Sequence, residues 1–344
     1  MAERRSVDKR VTSHEVALRA GVSQSTVSRA LAGDPRLSEA TRLRVLEIAR
    51  SLGYKPNAIA RSLITKRTNI VGLVASNMAN PFYPLVLEAF TQHLHSLGWR
   101  VLLFTAGSRE DVDDLLPEVL AYQVDGLIIV SAAMSSRMAR ECVGRGTPVV
   151  LFNRYVPDSG ASAVSCDNRG GGRKVAEALL RAGYRRLAYI AGREDASTSV
   201  DRERGFGEAL LEHGVKTWLR EPGNFSYEAG FNAAMRLLRL DEPPEAIFCA
   251  NDITAIGAID AARKLKVRVP EDLAVIGFDD IPAASWAAYN LTTVRQPIER
   301  MIEASVRLLL GRIEDPSLAA VNEFIPGELV RRGSARLDVA PKEG

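Results

Sequence analysis

From Ile70 onward the chain alternates short apolar runs with longer stretches of helical period. IVGLVA at 70–75 precedes an amphipathic stretch from about Pro84 to Leu97, and WRVLLFT at 99–105 precedes another through Asp111 to Tyr122. GLIIV, PVVLF, LAYIAG, AIFCA and LAVIGFD continue the series, each followed by a segment of helical length. Runs of this kind read as strands buried on both faces, and their alternation with helices calls for parallel sheets covered on both sides. Six or seven such units exceed what one small sheet carries. The pattern therefore predicts an α/β fold of two doubly wound lobes, Ile70 to Ser165 and Asp167 to Asn290, with a cleft between them.

Before Ile70 the pattern changes: there is no strand run, only helical stretches with clear punctuation. Thr12 and Glu15 form a T-x-x-E capping box that opens a helix ending near Ala20, with Gly21 supplying the turn. Ser23 can cap a second helix to about Ala32, closed by Gly33, and Ser38 a third that runs to Leu52 and stops at Gly53. Asn57, after Pro56, can cap a fourth, short piece, AIARSLI, which at about two turns is marginal in water without packing partners. In VTSHEVALRAGVSQSTVSRAL the inward positions are Val16, Ala17, Val22, Val27 and Leu31. Gln24, Ser25, Thr26, Ser28 and Arg29 then stand on the exposed face of the second helix. Hydroxyls that fix phosphates, beside Gln, Ser and Arg that reach base edges, are what a major-groove reader requires. A helix pair around a glycine turn can also simply pack.

Charge separates these two readings. Residues 1–67 hold 14 Lys and Arg against 6 Asp and Glu, a net +8; the rest holds 31 against 36, a net −5. A basic head on a mildly acidic body is the footprint of a protein whose head meets phosphate. At 344 residues the chain is too long for one ordinary core, and 46% hydrophobic with 25% charged residues is a globular composition. No apolar run approaches the roughly 20 residues of a membrane span, and MAERRSVDKR has no hydrophobic segment behind its charges, so a cytoplasmic chain without a membrane partner is expected.

Other chemistry is not called for. Cys142, Cys166 and Cys249 lie too far apart for a zinc cluster or a disulfide framework, and read as reduced thiols. His93 and His95, two apart on a helix, face different directions, so no metal site is expected from them. The GGG within Asp167 to Lys174 lacks the spacing of either nucleotide-binding glycine motif, so no cofactor is expected there. With four histidines and no defensible triad or carboxylate pair, the sequence does not read as an enzyme.

VTSHEVALRAGVSQSTVSRAL, YKPNAIARSL, NPFYPLVLEA, VDGLIIV, VSCDNRGGG, DRERGF, ANDITAIGA, VIGFDD and LTTVRQP, in this order, resemble the LacI/GalR family of bacterial regulators. The resemblance covers essentially the whole chain. It implies a repressor with an N-terminal helix-turn-helix, a periplasmic-binding-protein-like core, a homodimer on a palindromic operator and a small effector between the lobes. The boundaries it implies are a DNA-binding domain at 1–56, a hinge at 57–68, a core at 69–334 and a tail at 335–344. Lobe one takes about 69–165 and 296–322, lobe two about 166–295 and 323–334. The tail lacks the repeated apolar pairs of a heptad helix, which favours a dimer over a tetramer.

Carried over by position, Gln24, Ser25 and Arg29 match base-reading residues, and Thr12, Ser23, Thr26 and Ser28 match residues that hold phosphates. Asn57, Ala60 and Leu63 fall in the family's hinge helix, with Leu63 in the place of a wedge that parts a central base step. The next position, often basic in the family, is Ile64 here. Phe82, Tyr83, Asn153, Arg154, Asp167, Thr198, Arg202, Phe225, Asn251, Asp252 and Asp279 match effector-contact positions, most of them just after strand ends. The ligand expected is a sugar or sugar acid, with Asp279 accepting from hydroxyls, Arg202 donating and Phe225 stacking. Arg154 points to an acid unless a protein carboxylate neutralises it. Two other readings stay open at this level, a sugar-binding receptor on the same core and an α/β enzyme with a helical appendage.

Overall fold

The computed structural model describes residues 11–54, 67–76, 78–105, 112–130 and 136–337. It divides into two units, residues 1–68 and 69–344. In the first, α1 (Ser13–Ala20), α2 (Gln24–Ala32) and α3 (Glu39–Ser51) begin where the punctuation places them. Thr12, Ser23 and Ser38 each accept a hydrogen bond from the backbone N–H three residues on, at 3.4, 3.2 and 3.3 Å. A cap of this kind contributes about 1 kcal/mol. Gly21 and Gly33 take left-handed φ of 64° and 73°, which a β-carbon would disfavour. Val16, Ala20, Val27, Val45 and Ala49 close a small core. Asn57, Ala60 and Leu63 lie outside the described residues.

The second unit carries two six-stranded sheets. The first is built from β1 (Ile70–Ala75), β2 (Arg100–Thr105), β3 (Gly126–Val130), β4 (Val149–Phe152) and β5 (Ser162–Cys166), with α4 (Phe82–Ser96), α5 (Val112–Ala121) and α6 (Ser136–Gly144) between them. The second follows with α7 (Asn168–Arg181), β6 (Leu187–Ala191), α8 (Ser197–Glu212), β7 (Leu219–Pro222), α9 (Tyr227–Leu237), β8 (Ala246–Cys249), α10 (Asp252–Lys264), β9 (Ala274–Asp279) and β10 (Thr292–Arg295). The chain returns to the first sheet with α11 (Ile298–Glu314) and β11 (Asn322–Ile325), and ends in the second with β12 (Glu328–Val330).

Strand order is β2-β1-β3-β4-β5-β11 in one sheet and β7-β6-β8-β9-β10-β12 in the other, parallel except for β12 on β10. Both are the doubly wound order in which ligands bind beyond the carboxyl ends of the strands. The return to lobe two falls later than expected. Residues 323–325 belong to lobe one, because Asn322–Ile325 pairs in parallel with Ala163–Cys166. The crossing is at Pro326 and Gly327, where a β-carbon on Gly327 would stand 2.8 Å from the Arg295 carbonyl and 3.0 Å from Cys166 Sγ, so three crossings meet at one point. Cys142, Cys166 and Cys249 are free and buried.

The GGG run has a packing role. A β-carbon on Gly172 would collide with the Arg202 carbonyl, and one on Gly205 with the Arg169 carbonyl, so glycines on both helices let α7 and α8 approach backbone to backbone.

Candidate functional site

In the helical unit, Gln24, Ser25, Ser28 and Arg29 are exposed on α2, and Thr26 is half-buried. The helix start is laced together: Ser23 Oγ lies 2.8 Å from both Ser25 Oγ and Thr26 Oγ1, and Gln24 Nε2 donates to Ser13 Oγ at 2.7 Å. Gln24 is thereby held in one orientation before any partner arrives. Arg29 makes no ion pair among the described residues, and Asp34, which feels its charge, is gripped by Arg36 through both oxygens. A free guanidinium beside oriented polar groups on a capped, exposed helix is equipped to read a groove. Thr12 caps α1.

In the core unit the expected effector residues sit at carboxyl ends of strands. Phe82 and Tyr83 follow β1, Asn153 and Arg154 follow β4, Asp167 follows β5, Thr198 and Arg202 follow β6, Phe225 follows β7, Asn251 and Asp252 follow β8 and Asp279 ends β9. Asn153, Phe225 and Asp279 hold left-handed φ of 64°, 56° and 123°. Backbone held this way in non-glycine residues costs of order 1–3 kcal/mol each and clusters at functional sites.

Arg202 and Asp279 form the centre. Both are almost fully buried, at 2% and 4% side-chain exposure, with Nη2 3.5 Å from Oδ1. Arg202 Nε donates to Asn168 Oδ1 at 2.8 Å and Nη1 to the Ala250 carbonyl at 2.5 Å, while its guanidinium carbon lies 3.6 Å above the Phe278 ring. Asp279 also accepts from Gln296 Nε2 at 2.7 Å, and the Asn80 side chain lies beside it. Burial pushes the Asp279 carboxyl above its ordinary range, and Arg202, Gln296 and Asn80 pull it back.

Tyr83 ties lobe one into this cluster. Its buried hydroxyl lies beside the Asn153 and Arg154 side chains and within reach of the charges of Arg202 and Asp279; burial raises its pKa. Tyr155 adds a second tie between lobes, its N–H donating to Ser197 Oγ at 3.3 Å and its hydroxyl to Asp201 at 3.4 Å. A cavity of about 380 Å³ opens beside Asp279 and Gln296, lined also by Asp280, Arg295, Ile298 and Glu299. A hollow of about 600 Å³ elsewhere on lobe two, lined by Arg263, Lys266 and Tyr289, shares no residue with it.

Not every expected residue meets here. Asp252 is fully buried with both oxygens taken, by Thr293 Oγ1 at 2.5 Å and the Ile281 N–H at 2.8 Å, so it ties β9 and β10 to α10. Phe82 packs edge-on against Tyr83 in the lobe-one core. Asp167 caps α7, accepting from Gly170 N at 2.8 Å. Thr198 is buried in the first turn of α8, and Phe225 lies half-buried against Gly192. Sequence reasoning missed Asn80, Asn168 and Gln296. The Asn-Pro pair after a strand could have flagged Asn80, but Gln296 follows β10, a strand too polar to read as one.

Comparison with known proteins follows the same division. A model of a periplasmic binding protein-like domain matches residues 176–335, and one of bacterial regulatory proteins of the lacI family matches residues 12–57. The HTH-type transcriptional regulator CelR of Thermobifida fusca is 37% identical over 337 residues, covering 95% of this chain and 98% of that one. The chain belongs to the lacI family of bacterial regulatory proteins. A solved CelR–cellobiose complex superposes on this regulator with a TM-score of 0.71 at 36% identity, covering 94% of this chain and 100% of that one. The lac repressor dimer bound to operator and an anti-inducer gives 0.85 at 27% identity, over 95% and 99%. The protein is a DNA-binding transcriptional regulator, and its relatives are regulators rather than enzymes.

Proposed function

We propose that this regulator represses transcription as a homodimer, reading a palindromic operator with α2 of each copy, and that a sugar held between the lobes of the core switches it. The observation that carries the ligand reading is a set of buried polar atoms without protein partners: Asn153 Oδ1, Asn251 Nδ2 and Gln296 Oε1. An unsatisfied buried polar group costs roughly 1–3 kcal/mol. Two acceptors and a donor around the Arg202–Asp279 pair form a constellation that a polyhydroxyl ligand, able to donate and accept at each oxygen, would satisfy. CelR with cellobiose and the lac repressor dimer on operator support both halves of the reading. A DNA partner puts the regulator in the cytoplasm, and no described helix is long and apolar enough to cross a membrane.

A thermal-shift screen of sugars, followed by operator gel shifts with and without the best hit, tests the proposal. A ligand at about 100 times its Kd should add roughly 2.7 kcal/mol of stability and change operator affinity. A hit that binds without moving operator affinity would leave a sugar-binding protein, not a sugar-switched one.

At the DNA end, Arg29→Ala is expected to cost about 1–3 kcal/mol on the preferred operator and to relax preference at one base pair per half-site. Fluorescence anisotropy on operators varied one pair at a time checks this. A uniform loss across all sequences would make Arg29 a phosphate contact.

A further inference from the structure

We infer that the cleft selects an anionic saccharide, a sugar acid whose carboxylate is gripped by Arg154; this rests on the cleft being the ligand site proposed above. The argument is one of charge balance. Two arginines reach the cluster, and only one is neutralised. Arg202 has Asp279 beside it, two hydrogen-bonded carbonyl oxygens and an aromatic face beneath. Arg154 is only 7% exposed, it lies beside the Tyr83 hydroxyl, and no carboxylate among the described residues lies within ion-pair distance of it.

The charged groups that act on Arg154 most strongly are Arg193 and Asp195. They cancel each other: Asp195 gives both oxygens to Arg193, at 2.9 and 2.5 Å. Asp167 is turned toward Gly170 N as a helix cap, and Asp280, just after β9, is held by Arg295 and Arg332. Among the described residues one positive charge is therefore buried without an opposite charge, an arrangement that costs several kcal/mol unless an anion arrives. Burial accordingly presses the Arg154 guanidinium below its ordinary pKa.

Arg154 is adjacent in sequence to Asn153, whose side chain also lies beside the Tyr83 hydroxyl and whose Oδ1 is unsatisfied. The same end of the cleft thus offers a fork for a carboxylate and an acceptor for a hydroxyl. A guanidinium matches a carboxylate with two parallel N–H donors. A single uncompensated charge suits a monoanionic carboxylate better than a phosphate ester, which carries about −1.5 to −2 at pH 7.

Calorimetry on the full-length chain with matched probes decides the point: glucose against glucuronate, galactose against galacturonate, and glucose 6-phosphate. At least one uronate is expected to bind tenfold or more tightly than its neutral parent. That preference should disappear in Arg154→Met, which keeps the length of the side chain without its charge, and survive in part in Arg154→Lys. Neutral sugars binding as tightly as their acids, a stronger response to the sugar phosphate, or a preference that persists in Arg154→Met would each overturn the inference while leaving a sugar-switched regulator intact. Binding of no probe in either class would overturn both readings.

Discussion

Asp279→Asn is expected to weaken binding of the sugar identified in the screen by about 100-fold, or ~2.7 kcal/mol, while ligand-free operator affinity changes little. Asp279 is the acceptor on which both lobes converge: Asn80 reaches it from lobe one, and Gln296 and Arg202 from the crossing segment and lobe two. Asparagine keeps the shape of the side chain that this backbone, at φ 123°, already carries. It removes the charge that compensates Arg202, and breaking a buried pair in this way costs roughly 3–5 kcal/mol of stability. Two measurements separate these effects. Urea unfolding reads the stability loss, and calorimetry at a temperature where the variant is folded reads the ligand. Without differential binding to the two lobe arrangements, the usual coupling of about 1–3 kcal/mol to the DNA-binding unit is lost too. Undiminished ligand affinity would remove Asp279 from the ligand's contacts and leave it a structural partner of Arg202.

Gly205→Ala should lower core stability by about 3 kcal/mol, since the new methyl meets the Arg169 carbonyl of the facing helix, which cannot yield as a side chain would. In a domain of this size that is a fall of roughly 6–12 °C in Tm. The same change reaches the site. Asn168, in the first turn of α7, holds Arg202 of α8 at 2.8 Å, and pushing the helices apart stretches that bond. Ligand affinity should fall along with stability. Gly144→Ala, where nothing lies within 4 Å of the added carbon and φ is not left-handed, is the control and should be near neutral. If the two substitutions prove equally harmless, the α7–α8 contact is looser than described here.

What was legible in the sequence was local. Caps at Thr12, Ser23 and Ser38 and left-handed glycines at 21 and 33 act within one helical turn, so spacing alone located α1 to α3. Strands β1, β3, β4, β6, β8 and β9 are apolar because both faces are covered, and an apolar run needs no partner to be noticed. Strand β5 (SAVSC) and strand β10 (TTVR) hide polar residues that are buried only because distant groups satisfy them. Ser162 Oγ accepts from Val321 N, Thr292 Oγ1 accepts from Arg332 N, and Thr293 Oγ1 donates to Asp252. Residues 40 to 159 apart in sequence cannot announce such a bond by any period. The site shows the same division. Strand-end position and family resemblance named Arg202, Asp279, Asn153 and Arg154, but only the folded chain decided that Asp252 points into lobe two and that Asn80, Asn168 and Gln296 surround the ion pair. Charge balance belongs to the same class: composition counts arginines, whereas which of them is left buried without a carboxylate depends on distances that the tertiary packing sets.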